Sequence, residues 1–264
     1  MQINNYEVCK LDSIILRFIG SPQSGWINLG STLNTKADFL YKLTTAKAAL
    51  QTITLIPGET TYIFLNQLSN NLNLDREKLQ YFYDRFAPVK EGVFIPNTYK
   101  IPIGISEKEL IKLLLKISLK KHKELSYKFF GTYNQTKWFY YISIASIVQK
   151  ESANKKEMPL VSSVIHNRLK KGMKLQMDGT LNYGKYSHVK ITPKRIRQDH
   201  SQYNTYLYSG VPKIPVCNVN IDAIRAAIFP KKTKYLYFVK SKHKTHNFSC
   251  NYSTHINNIR RATK

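Results

Sequence analysis

The sequence predicts an α+β fold. Apolar residues recur at helical spacing in several long stretches, strand signals stand apart from them, and 42% of the 264 residues are hydrophobic. That is enough apolar surface for a packed core.

Residues 49–74, ALQTITLIPGETTYIFLNQLSNNLNL, read as strand, turn and helix. Ile53 and Leu55 alternate along the strand, which ends at the turn pair Pro57-Gly58. Thr60 or Thr61 can cap the helix, on which Ile63, Leu65, Leu68 and Leu72 are spaced for one face. A second helix, 75–86, is capped by Asp75, and residues 91–106 are extended and turn-rich. The stretch 107–125 is an amphipathic helix with acids early and lysines late, the order the helix dipole favours. Two more helices follow. One covers about 136–152, and the other enters through Pro159 and presents Val161, Val164, Ile165 and Arg168-Leu169 on one face. Beyond Gly172 the chain reads as turns and short strands, with a short helix at 220–229 and a strong strand signal, YLYFVK, at 235–240.

The formal net charge of +25 is uneven. From Lys137 to Lys264 there are 24 Lys/Arg against 5 Asp/Glu, a net of +19, and before that 17 against 11, a net of +6. Such a field either attracts a polyanion (nucleic acid, anionic lipid or an acidic polymer) or is simply a solvated basic surface. No RRM, zinc-finger or helix-turn-helix signature accompanies it, so nucleic acid is not the expected partner. Cys9, Cys217 and Cys250 are too few for a disulfide framework, although Cys217 and Cys250 could pair in an oxidising compartment. His243, His246 and Cys250 form a loose H-x2-H-x3-C with no evident fourth ligand, so no metal is expected. There is no Gly-rich phosphate loop, no G-x-S-x-G elbow and no H-E-x-x-H, and no cofactor is expected. The apolar stretch SIILRFIG at 13–20 is short and broken by Arg17, well under the roughly 20 residues of a membrane span. With no signal-peptide h-region either, the chain as it stands is expected to be soluble.

One acid stands out in this acid-poor half. In the 136–152 helix, Tyr141, Ile144, Ile147 and Val148 share a face, and Glu151 continues it. A carboxylate on an apolar face is partly desolvated, which raises its pKa and makes it a candidate proton donor. The surrounding positive charge pulls the other way, and a glutamate at a helix end can also simply reach out to solvent. Paired-carboxylate glycoside hydrolysis would need a second acid within about 5–10 Å. Glu157 is six residues on, and either lies near or caps the next helix. Asp178, in LQMDGTLNYG, belongs either to a ligand-binding loop or to an ordinary turn. The stretch SQYNTYLYSGVP at 201–212 suits either a sugar-binding groove or a half-buried strand.

Taken in order, SIASIVQKES, PLVSSVIHNRLKKGMKLQMDGTLNYG, YNTYLYSGVP, AIRAAIFPKKTKYLYFV and THNFS…H resemble the motifs of the YceG-like (MltG-type) endolytic murein transglycosylase family. Upstream, ITLIPGETTYIFLNQL and EGVFIPNTYKIPIG resemble that family's LysM-like segment and the loop after it. The likeness spans roughly 50–255. It implies a LysM-like N-terminal subdomain followed by a mixed α/β catalytic domain, placed here at 1–104 and 105–264. It assigns the catalytic glutamate to Glu151. It further implies a substrate-binding set. Glu157 matches an acidic position just before the second helix. Asn167, Gln176, Asp178, Thr180 and Tyr183 match the NRL…LQ-D-T--YG motif, and Tyr203, Asn204, Thr205 and Tyr206 match YNTY. The chain departs from the family at Met177 and Gly179, where Thr and Pro are usual, and at GVPKIPV, which lacks a glycine.

The resemblance also implies a reaction: cleavage of peptidoglycan glycan strands between N-acetylmuramic acid and N-acetylglucosamine without water. Glu151 would protonate the glycosidic oxygen and then take the proton of the muramoyl C6 hydroxyl, closing a 1,6-anhydro ring. An intramolecular nucleophile makes a second carboxylate unnecessary, which suits an acid-poor half. Penicillin-binding proteins are the implied partners. The periplasmic face of the inner membrane is the implied location, with an N-terminal anchor expected to lie before Met1. The alternatives are a lysozyme-like hydrolase at the same site and a catalytically silent glycan-binding scaffold.

Overall fold

The computed structural model describes residues 9–22, 27, 29, 34–45, 49–242 and 245–263. Two helices that the periodicity does not predict lead the chain, α1 (Lys10–Ile19) and α2 (Lys36–Thr45), packed on each other. A β-α-α-β unit follows: β1 (Leu50–Thr54), α3 (Thr61–Leu72), α4 (Arg76–Phe86) and β2 (Thr98–Pro102). The two strands are antiparallel, with Ile53 opposite Tyr99. Both expected caps form. The Thr60 hydroxyl accepts from the Ile63 N–H at 3.3 Å, and Asp75 Oδ1 accepts from the Glu77 and Lys78 N–H groups at 2.8 and 3.0 Å. The buried face of α3 centres on Phe64, Leu65 and Leu68, while Ile63 and Leu72 sit half-buried at its margins. A core-facing helix buries a broad stripe rather than a line, and Phe64 fills the middle of it.

Helix α5 (Glu107–Phe130) runs past its expected end and stops at Gly131, whose φ of 70° lies in the left-handed region that only glycine enters without strain. Helix α6 (Gln135–Glu151) is central. Every residue from Ile142 to Val148 is buried, so over that stretch the helix is enclosed on all sides and not only on the expected face, while Gln135, Thr136, Lys137 and Tyr140 nearer its start are exposed. Its two serines are satisfied internally. Ser143 donates to the Pro212 carbonyl at 2.6 Å, and Ser146 donates to the Ser143 carbonyl and accepts from the Val216 N–H at 2.8 Å. Helix α7 (Met158–Lys170) carries Pro159 in its first turn, as expected.

Beyond α7 the chain makes 3-10 turns at Asp178–Leu181 and Gly184–Tyr186, then α8 (Pro193–Gln198) and α9 (Ile221–Ile228). The hydroxyl-rich 201–212 stretch is turns, not a strand. An antiparallel hairpin, β3 (Tyr237–Lys240) with β4 (His246–Ser249), and a C-terminal helix α10 (Tyr252–Thr263) close the fold. One continuous hydrophobic cluster joins the β-α-α-β unit to α5, α6, α7 and α9. The architecture is mixed α and β with the strands confined to two small hairpin-like sheets, in keeping with the expected α+β class.

A buried relay locks the middle of this core. The Trp138 indole N–H donates to His122 Nδ1 at 3.0 Å, so the ring carries its proton on Nε2 and donates to the Val93 carbonyl at 2.9 Å. Burial pushes the His122 pKa down to about 4, with the Val93 bond opposing, and the ring stays neutral. Trp138→Phe would leave Nδ1 unsatisfied in a dry site. It should cost about 2 kcal/mol in chemical denaturation.

All three cysteines are free, Cys217 buried and Cys9 and Cys250 exposed. No group of three or more metal-ligating side chains clusters among the described residues, and His243 lies outside them. Among the described residues no helix is long and apolar enough to cross a membrane.

Candidate active site

Helix α6 delivers its last residue, Glu151, to the 178–181 turn. The Gly179 N–H donates to Glu151 Oε1 at 2.6 Å. A side chain at 179 would put its Cβ 2.9 Å from that oxygen and 2.8 Å from Lys150 Cβ. Only glycine permits this approach, and the bond it makes is one that a proline at 179 lacks the N–H to form. Burial pushes the Glu151 pKa up to about 7; the Gly179 bond opposes this and the Asp178 charge adds to it.

Glu151 lines a cleft of about 540 Å³. Gln176, Asp178 and Tyr206 line it too, as the sequence reading expected of them. Tyr206 donates its hydroxyl to Asp178 Oδ1 at 2.6 Å, and burial followed by that bond raises the phenol's pKa. Gln176 sits at a φ of 49°, rarely adopted by a residue with a side chain, and its Oε1 accepts from Arg168 Nη1 at 3.2 Å.

The other expected residues stand behind the cleft. Thr205 Oγ1 accepts from the Met177 N–H at 3.0 Å, and the Thr180 hydroxyl donates to the Met177 carbonyl at 2.7 Å. Asn204 is fully buried; its amide donates to the Ile196 and Asp199 carbonyls and its oxygen accepts from the Tyr206 N–H. Asn167 donates to the Thr233 and Tyr235 carbonyls, both at 2.9 Å, fixing the approach to β3. Tyr183 stacks on Tyr203 at 4.4 Å between centroids and donates to Asp199 at 3.2 Å. These side chains set the shape of the loops that carry Gln176, Asp178 and Tyr206.

Glu157 occupies the N-cap position of α7, yet its side chain caps nothing. Its carboxylate accepts from the His246 backbone N–H and from His246 Nδ1, both at 2.8 Å. Glu157 therefore reaches the cleft only through His246, which lines it. With Nδ1 donating to Glu157, the ring's other nitrogen is left for the cleft.

Sequence reasoning missed the side of the cleft built by Arg168, β3, β4 and α10, which contribute Tyr237, Lys240, His246 and His255. Arg168 carried a usable signal, a charge on the apolar face of α7. Tyr237, His246 and His255 lie in the matched motifs KTKYLYFV and THNFS…H without having been assigned to the site, and they join its lining because the C-terminal hairpin folds back over α7.

The YceG-like family model matches residues 7–261. The endolytic murein transglycosylase of Bacillus subtilis is 30% identical over 190 residues, 72% of this chain and 51% of that protein. That of Streptococcus pneumoniae is 32% identical over 154 residues, 56% of this chain and 28% of the relative. The chain thus matches about half of the first relative's length and less of the second's. A crystal structure of a YceG-like protein from Listeria monocytogenes superimposes with a TM-score of 0.65 at 22% identity, covering 94% of this chain and 88% of that one.

Proposed function

This chain belongs to the YceG-like family, and on that footing we propose that it is an endolytic peptidoglycan lytic transglycosylase. It would cut the bond between N-acetylmuramic acid and N-acetylglucosamine within glycan strands, leave 1,6-anhydro-muramoyl ends and so terminate the elongation of nascent strands. The observation that carries this reading is the Glu151 carboxyl, held in a cleft with a pKa of about 7. At neutral pH a large fraction is protonated and able to donate, and the ionised form is basic enough to take a proton back. Glu151 protonates the glycosidic oxygen as the bond from muramoyl C1 breaks. The muramoyl C6 hydroxyl then closes on C1 and returns its proton to Glu151, so no water is consumed.

Gln176, Asp178 and Tyr206 meet the sugar directly. Asn167, Thr180, Tyr183, Tyr203, Asn204 and Thr205 shape the loops beneath it, and Glu157 orients His246. Digestion of uncross-linked strands should yield internal fragments from the start, as seen by chromatography. Release of terminal disaccharides alone would contradict endolytic cutting.

Gly179→Ala tests the placement of the acid. The added Cβ must displace the carboxylate by a few tenths of an ångström, and turnover should fall about tenfold with little change in the far-ultraviolet spectrum. Rates equal to wild type would show that the Gly179 contact does not set the acid's position.

A specific observation favours a second reading, a lysozyme-like hydrolase. Asp178 is close enough for its charge to raise the Glu151 pKa, which makes it a candidate second carboxylate. Its bond from Tyr206 holds it in place on the cleft.

The order β1-α3-α4-β2 supports a LysM-like subdomain, and we keep the division at 1–104 and 105–264 as a proposal. Penicillin-binding proteins at the periplasmic face of the inner membrane are the partners that such a substrate implies. The net +19 of the second half suits a substrate bearing carboxylates. Raising salt from 50 to 500 mM should therefore lower kcat/KM, because exposed charges are screened beyond about 10 Å at ~0.1 M. A flat salt profile would make the charge incidental.

A further inference from the structure

Arg168 is 7% exposed, lines the cleft, and has no acidic partner among the described residues. Its Nε donates to the Leu236 carbonyl at 2.7 Å, and its Nη1 donates to the Lys174 and Leu175 carbonyls and to Gln176 Oε1 at 3.0, 2.9 and 3.2 Å. The guanidinium lies over the Tyr237 ring at 5.0 Å. Every acceptor it uses is neutral, and Nη2 makes no hydrogen bond among the described residues. A buried charge without a counter-charge is costly, and a guanidinium with a free nitrogen is shaped to receive a carboxylate.

The rest of the cleft points the same way. Lys240 and His246 line it, whereas of its two acids Glu151 is held near neutrality and Asp178 is engaged by Tyr206. Tyr206 lines the same cleft, and its phenol feels the charges of both Glu151 and Arg168.

We propose that Arg168 is the subsite for a carboxylate carried by the saccharide in this cleft. The inference rests on the transglycosylase reading and adds a recognition element to it. Two sources offer this chemistry: the lactyl carboxylate of a muramoyl residue that has lost its stem peptide, and a carboxylate of the stem peptide itself. Either would supply the counter-charge that Arg168 lacks, with Nε and Nη1 already committed and Nη2 donating to it.

The test measures binding to the Glu151→Gln protein, which keeps the cleft without turnover. The ligands are peptide-free strands, the same strands with carboxylates capped as methylamides, peptide-bearing strands before and after the same capping, and N-acetylglucosamine oligomers. Capping should weaken binding at least tenfold, and adding Arg168→Gln should abolish the capping effect, which a general pull from the +25 charge would survive. A capping effect on peptide-free strands identifies the lactyl group as the source; an effect confined to peptide-bearing strands identifies the stem. If Arg168→Gln does not fold, the comparison of capped with uncapped strands on the intact arginine is repeated at 500 mM salt, where a pull from the net charge is screened and a direct ion pair inside the cleft is retained. Equal affinity for capped strands, uncapped strands and N-acetylglucosamine oligomers overturns the proposal and leaves Arg168 a structural clamp on the 174–176 and 236 carbonyls. In that case the wild type still cuts strands, at the same kcat/KM whether capped or not. Loss of the transglycosylase reading itself shows instead as no cleavage of any strand, or as products that carry the extra water of hydrolysis.

Discussion

Glu151→Gln should lower turnover on glycan strands by about 10²–10⁴, the contribution usual for a positioned proton-transfer group. Glutamine keeps the shape and can still accept the Gly179 N–H bond, but it cannot donate a proton to a glycosidic oxygen at any pH. The loss therefore belongs to chemistry rather than to binding, and kcat should fall with KM little changed. In the wild type the same group should set the pH profile. With the protonated form starting the proposed reaction, kcat/KM should fall as pH rises through about 7. Steady-state rates from pH 5 to 9 for both proteins check this; an active glutamine variant would remove Glu151 from the mechanism.

The same substitution should make the protein more stable at neutral pH. Burial raises the Glu151 pKa from 4.5 to about 7 in the folded state. Below pH 4.5 the group is protonated in both states and contributes no difference. Between 4.5 and 7 the unfolded chain releases its proton while the folded one keeps it, so the wild type loses stability as pH rises through that window. Glutamine does not ionise and escapes the loss. The gap between the two proteins should open from pH 4.5, reach about 3 kcal/mol by pH 7.5 and change little above it. Thermal melts should show the variant several degrees higher at pH 8 and level with the wild type at pH 4. No gap at pH 8 would mean that the carboxylate is well solvated, which would remove its fitness as a donor at neutral pH.

Glu91 shows the same upward displacement to about 7 for the same cause, yet its role is different. Its two oxygens accept from the Thr61 N–H and hydroxyl and from the Gly92 N–H, and it is buried at the start of α3. A raised carboxyl is thus a candidate acid only where it lines a cleft, as Glu151 does, whereas the Glu91 oxygens are taken up by the start of α3 and by Gly92.

The sequence made the local rules legible. The caps at Thr60 and Asp75 and the proline entering α7 depend on residues within a few positions of each other, and they form as expected. Glu151 was legible for the same reason, as the continuation of an apolar run within one helix. What required the fold was everything brought together from afar. The hydrogen bond from Gly179 spans 28 residues and the pairing of Glu157 with His246 spans 89. Glu157 looked like a helix cap because its partner is a hairpin that sequence neighbourhood does not show. Thr180, Asn204 and Thr205 sit in motifs that resemble a binding site, yet they are 2% exposed or less, since holding a loop in shape uses the same hydroxyls and amides as holding a sugar. The one-face reading of α6 failed because its serines are buried along with the apolar residues, each satisfied by a carbonyl or amide.

The most direct test of the account is the mass of the muramoyl ends released from uncross-linked peptidoglycan strands by the wild-type protein, with Glu151→Gln as the control. Internal fragments ending in 1,6-anhydro-muramoyl residues are expected, lighter by one water than simple hydrolysis products and absent from the control. Fragments carrying that extra water would contradict it. They would make the enzyme a hydrolase and turn attention to Asp178 as the second carboxylate.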